Sequence, residues 1–331
     1  MYTKSPIDFA LLPQNAVVTL SALAADAACP GTPSFSVPVL HRIIEYLRAP
    51  RSCLITMDGL FVIPLGGATA EEIDAEVRAV DTKGRAYLVR LDFTRPNITA
   101  VGDGFLRDCP LLTSIDIQGH SLRTIGDHFL SGCRSLTSVD LKGHRITTIG
   151  GSFLWDCISL TSVSLPGQSL TSLGDFFLTG CVKLPSLDLR GHGLTTVGDC
   201  FLTSCEPLLS VDLTGHGLTH IGHFFLRGCS SVTTVRLNSG LIIFIGHHFL
   251  DGCTSLPSLH LTGHSLSQLG NFFLNDCTSL TFLSLKGQRS TTITIGDYFL
   301  EGCKSLASVD LEGVADERSI YAVQRVLQRR R

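Results

Sequence analysis

Nine cysteines keep one interval along this 331-residue chain: Cys109, Cys133, Cys157, Cys181, Cys205, Cys229, Cys253 and Cys277 are each 24 residues apart, and Cys303 follows after 26. An interval of this length, held over nine copies, belongs to a stack of repeated supersecondary units. No copy can bury its own apolar face, so each packs on its neighbours and the array shares one core. Such a chain offers extended faces rather than a pocket.

The second copy shows what one unit does. Val139-Asp140-Leu141 alternates with period two, which predicts a short strand with Val139 and Leu141 facing the core and Ser138, Asp140 and Lys142 facing out. A degenerate opening copy, Leu88 to Phe93, brings the expected number of parallel strands to ten. At about 4.8 Å per strand, ten would span roughly 45 Å. Further on, Gly126-Asp127 precedes His128-Phe129-Leu130-Ser131-Gly132-Cys133, where Asp127 reads as a helix N-cap and Phe129, Leu130 and Cys133 as one buried helical face. The Phe-Leu pair recurs in every copy, so half of the 18 Phe go to packing.

The run from Leu136 through Val139, Leu141 and His144 to Ile146 fits L-x-x-L-x-L-x-x-N-x-L, with His in the Asn place. With Ile149-Gly150, Phe153 and Cys157 it resembles the BspA-like branch of leucine-rich repeats, built on I-G-x-x-F-x-x-C-x-x-L-x-x-I-x-L, as in bacterial surface proteins and trypanosomatid arrays. The resemblance covers residues 86–314. It implies an α/β leucine-rich repeat solenoid with about ten parallel strands on one face, short helical turns on the other and a cap at each end. The function it implies is adhesion, recognition or scaffolding, hence a protein or peptide partner and no cofactor.

The flanks do not repeat. Residues 1–85 read as an N-terminal cap region whose segment 38–47 is an amphipathic helix with Leu40, Ile43, Ile44 and Leu47 on one face, and a capping box at Thr69 to Glu72 starts a second helix over 70–80. The alternative role for the stretch from Ser36 to Leu47 is an adaptor-binding helix, since it resembles F-box and Skp-type segments; the chain would then be a substrate receptor of a ubiquitin-type complex. Residues 315–331 read as a C-terminal capping helix striped by Ile320, Val323, Val326 and Leu327, ending in the basic tip Gln328-Arg329-Arg330-Arg331.

A net charge of -3 and only 17% charged residues argue against an electrostatic nucleic-acid binder. No apolar run reaches the roughly 18 residues of a membrane span. Residues 9–29 imitate a signal peptide, but Pro13, Gln14 and Asn15 interrupt them and Lys4 is the one basic residue before them, so the expected location is cytoplasmic, with secretion or the cell surface as the alternative. The nine periodic cysteines read as buried reduced thiols acting as small hydrophobes, because stacking gives them parallel side-chain directions unsuited to disulfides. There is no C-x-x-C pair, phosphate-binding glycine loop, H-E-x-x-H or G-x-S-x-G, so neither metal binding nor catalysis is expected.

Function is sought in columns of equivalent positions. His120, His144, Gln168, His192, His216, Gly240, His264, Gln288 and Val314 form one, read as hydrogen-bonding rather than metal-binding. The outward strand column contains Asp116, Asp140, Asp188, Asp212, Arg236 and His260, and its neighbour is Ser or Thr except at Phe282. These seven residues are the expected partner-binding set on the sheet face. On the far side Trp155, Phe176, Phe224, Phe272 and Tyr298 occupy positions elsewhere taken mainly by polar residues and form a second, weaker candidate surface.

Overall fold

The computed structural model describes residues 53–56, 88–92, 99–116, 122–142, 144–165, 170–189, 193–214, 217–237, 241–261, 265–285, 293–311, 321, 323, 324 and 328. Within the array each coil has three sides around a common core. The first is the expected outward strand, pairing in parallel with its copy 24 residues on: Val139 meets Val163, and Val211 meets Val235. Val139, Val211, Leu259 and Leu283 are buried beneath it.

This first sheet is not one ladder of ten. Leu88–Asp92 pairs with Ser114–Asp116, Ser138–Asp140 with Ser162–Ser164, Ser210–Asp212 with Thr234–Arg236, and Ser258–His260 with Phe282–Ser284 and then Ser308–Asp310. Residues 184–189 form no strand. The reason lies just ahead of the strand, where an amide donates to the preceding coil: Thr161 N to Thr137 O at 2.9 Å and Thr233 N to Leu209 O at 3.0 Å. Pro185 has no N–H to donate, so that rung is missing. Pro257 sits at the second such position and coincides with another break. An antiparallel strand, Cys53–Thr56, pairs with Leu88–Asp92 and occupies the edge that the first parallel strand would otherwise present.

The second side was not anticipated. Two-residue strands running from Ala100–Val101 and Thr124–Ile125 to Gln268–Leu269 and Thr294–Ile295 form a nine-stranded parallel sheet in unbroken register. Each strand turns its second residue inward, as Ile125, Ile149 and Ile221 show. The glycine that follows lets the coils close up. A Cβ on Gly174 would stand 2.5 Å from the carbonyl carbon of Gly150, and one on Gly246 would stand 2.6 Å from that of Gly222.

The third side corrects the helical expectation. His128, Leu130 and Gly132 have φ of 58°, 51° and 76°, and this left-handed alternation recurs in the other coils. A residue in that region cannot continue a helix, so the amides bond between coils instead. His128 N reaches Gly151 O on the next coil at 2.7 Å, Leu130 N reaches Phe105 O on the previous one at 2.9 Å, and Gly132 N reaches Trp155 O on the next at 2.7 Å. No Val, Ile or Thr occupies any of these three positions in any copy, as the steric cost of positive φ for β-branched residues requires.

Inside, Phe105, Phe129, Phe153, Phe177, Phe201, Phe225, Phe249, Phe273 and Phe299 stack in one file, with centroids 5.1 to 5.8 Å apart. Each offset pair adds about 0.5–1.5 kcal/mol beyond burial. The nine periodic cysteines are buried free thiols. They are more than small hydrophobes: Cys133 Sγ donates to Leu106 O at 3.1 Å, and the same bond follows through to Cys303 and Leu274 at 3.0 Å. Near the C-terminus Tyr321, Val323, Gln324 and Gln328 are helical, and Val323 is buried in the array core. The segments 38–47 and 70–80 lie outside the described residues.

Candidate functional site

The outward side of the first sheet is built by short strands whose inner residue anchors the core and whose flanking residues face out. On four successive coils it carries Asp212, Arg236, His260 and Phe282. Parallel register sets Asp212 opposite Arg236, and the guanidinium lies 3.5 Å from the carboxylate. Asp212 also accepts the Thr214 amide at 3.0 Å. The Thr214 amide and hydroxyl hold its carboxyl below the ordinary carboxylate value, with Arg236 adding to the effect. Phe282 stands opposite Ser258 in register, yet its ring leans towards His260, with centroids 5.4 Å apart and planes tilted by 52°.

The remaining expected residues are dispersed. Asp140 is exposed and accepts the Lys142 amide at 2.9 Å, closing a turn at its own strand end. Asp188 is exposed on the strandless segment after Pro185. Asp116 pairs with Asp92 in backbone register. Of the histidine column only His144 is described; it is buried, with Nδ1 3.4 Å from the Leu122 amide, a hydrogen-bonding place as the sequence suggested. His120, His192, His216 and His264 lie outside the described residues.

On the far side the structure joins three of the five expected aromatics and leaves two apart. Phe224, His248, Phe272 and Tyr298 form one stack, with centroids 4.8, 4.4 and 4.5 Å apart and planes within 10°. Arg227 lies over Phe224, its guanidinium carbon 5.7 Å from the ring centroid. Arg227 and His248 both reach Asp251 Oδ2, at 3.2 and 2.8 Å. Phe176 is exposed between Ser152 and Cys200 in the same column, and Trp155 is exposed on the coil before it. His248 was missed as a member of this surface. Its place in the Phe-rich column was visible, but its role as a flat spacer appears only once the rings are stacked.

Among the described residues no three His, Cys, Asp or Glu side chains converge to hold a metal ion, and no helix is long and apolar enough to cross a membrane. Two sides of the array supply charged groups and aromatic rings on outward faces, which is material for recognition.

The sequence family described as BspA type leucine rich repeat region (6 copies) matches residues 99–222 and 195–322. The chain belongs to this family. No curated protein matches it. Among solved structures, this BspA-type chain is similar to a leucine-rich repeat protein of Bacteroides ovatus, at 25% identity over 66% of this chain and 60% of that one, with a TM-score of 0.47. It thus spans less than two thirds of that relative's length. It is also similar to the leucine rich repeat protein of T. pallidum, at 22% identity over 57% of this chain and 82% of that one, with a TM-score of 0.45.

Proposed function

We propose that the chain is a protein-binding repeat module that takes its partner on the outward side of the first sheet, centred on Asp212, Arg236, His260 and Phe282. The observation that carries this reading is the placement of these four residues on consecutive coils, in a face whose other outward positions are mainly Ser, Thr and Asp. An aromatic ring leaning on a histidine, with an arginine two coils away and small hydroxyls around them, is the composition of an interface anchor with a polar rim. Asp116, Asp140 and Asp188 extend the face as acidic positions that favour a basic partner segment. The exposed Trp155 and Phe176, with the stacked Phe224 and Phe272, form a second and weaker surface. The function is binding rather than catalysis, since the face is open to water.

The test is affinity purification with mass spectrometry, comparing wild type with the Arg236→Ala/Phe282→Ala double variant at matched melting temperature. Proteins retained by wild type and lost by the variant support the sheet face. Equal recovery of every retained protein removes that face as the binding site. Adaptor binding through residues 36–47 and a cell-surface location remain the alternatives from the sequence, and the same purification with residues 1–85 deleted separates the first of them.

A further inference from the structure

Between the second and third sides runs a ladder of side chains, at the position that follows the recurrent glycine. Each accepts the backbone N–H of the same position one coil further on. Asp103 Oδ1 accepts from Asp127 at 2.8 Å, Asp127 from Gly151 at 2.6 Å, Asp175 from Asp199 at 2.8 Å, and Asp199 from His223 at 2.7 Å. Then the chemistry changes. His223 Nδ1 accepts the His247 amide and His247 Nδ1 accepts the Asn271 amide, both at 2.8 Å. Asn271 Oδ1 completes the series by accepting from Asp297 at 3.0 Å.

A carboxylate or amide oxygen keeps its lone pairs through neutral and mildly acidic pH. An imidazole accepts at Nδ1 only while neutral, with its proton on Nε2; an imidazolium carries N–H on both nitrogens and accepts nothing. The bonds therefore assign both rings the neutral Nε2–H form. In that form Nε2 has no free lone pair, which argues against the pair as metal ligands. The two rings stack at 4.7 Å with planes 8° apart, so a charge on one stands against the other.

We propose that His223 and His247 form an acid-labile joint in the solenoid: protonation of either ring removes its rung, and as both are lost the coils at 223, 247 and 271 loosen, while the carboxylate rungs on the preceding coils hold. The charged and titratable groups around the pair are Asp199 on the coil before, His220 and Arg227 on the coil of His223, His248 and Asp251 on the coil of His247, and Asp297 beyond Asn271. Asp251 faces His248 at 2.8 Å and Arg227 at 3.2 Å, so its charge is already shared. Burial, followed by the neighbouring His223 and His248, also pushes His247 below the ordinary histidine value.

Asn271 shows that an amide oxygen fits this position, so the control is His223→Asn/His247→Asn in the full chain. Melting temperatures are compared at about pH 7.5 and about pH 5, a window in which histidine titrates and most carboxylates stay ionised. Wild type is expected to fall by about 4 °C more than the double variant, the scale of two lost rungs in a domain of this size. Equal falls overturn the proposal. Should the variant not fold, imidazole nitrogen NMR of wild type near neutral pH decides the matter: unprotonated Nδ1 on both rings supports the joint, and an Nδ1–H on either ring overturns it.

Discussion

The thiol of Cys229 donates to the carbonyl oxygen of Leu202, 3.0 Å away on the preceding coil, and Leu202 holds a left-handed φ of 52°. That carbonyl also receives the Cys205 amide at 3.4 Å, so the thiol completes its two lone pairs. Cys229→Ala leaves the Leu202 carbonyl with the long Cys205 amide bond alone and opens a small void, and is expected to cost about 1–3 kcal/mol. A lowered urea midpoint at unchanged slope is the readout.

The same column makes the fold sensitive to alkali. Burial pushes the Cys157 and Cys229 thiols up to about 12 from an ordinary 9.0. Because the folded chain holds these protons more tightly than the unfolded one, their stabilisation is complete below pH 9 and is lost as pH rises towards 12. Circular dichroism followed upward in pH should show cooperative unfolding in that window. A melting temperature still unchanged at about pH 11 would contradict the buried column.

Cys200 is the half-exposed thiol of the described array, and burial with nearby Asp199 and Asp175 raises its own pKa. Iodoacetamide at neutral pH should therefore label it slowly in the native state and leave the nine periodic cysteines untouched until denaturant is added. Peptide mass mapping distinguishes them; native labelling of Cys205 or Cys229 would mean that the coils separate.

Gly222→Ala places a methyl 2.5 Å from the Gly198 carbonyl carbon and from Asp199 Oδ1. Backbone cannot yield there without breaking the second sheet, so a loss of about 2–4 kcal/mol is expected by thermal or urea unfolding.

Gly151 interrupts the acceptor ladder, being the position without a side chain between Asp127 and Asp175. A Cβ there meets nothing closer than 3.4 Å and lies 3.7 Å from the Asp175 amide. Gly151→Asp should restore the rung and raise stability by about 0.5–1.5 kcal/mol. A lower melting temperature would show that the gap is required.

The repeat, the inward Phe, Leu and Cys, and the outward Ser-Val-Asp strands were all legible, because each depends on periodicity and hydrophobicity alone. The helical reading of Gly126 to Cys133 failed for a local reason. Phe129, Leu130 and Cys133 have helix-like spacing, and only the absence of β-branched residues at 128, 130 and 132 hinted at positive φ. Asp127 looked like an N-cap because its acceptor role is real, but the amide it serves belongs to Gly151, 24 residues on. The second sheet escaped notice because two-residue strands such as Thr148–Ile149 carry too short an alternation to register. Of the expected site, Arg236 and Phe282 stood out as exceptions within their columns. The tilt of Phe282 towards His260 depends on rotamers, which columns do not specify.

By itself the sequence determined that one unit is copied, which residues of that unit face inward, and that Pro185 cannot join a ladder, since these follow from spacing, hydrophobicity and a missing N–H. Only the tertiary structure decided which amide each acceptor meets. Those bonds run between coils rather than along the chain, and a partner 24 residues away is chosen by stacking, not by neighbourhood.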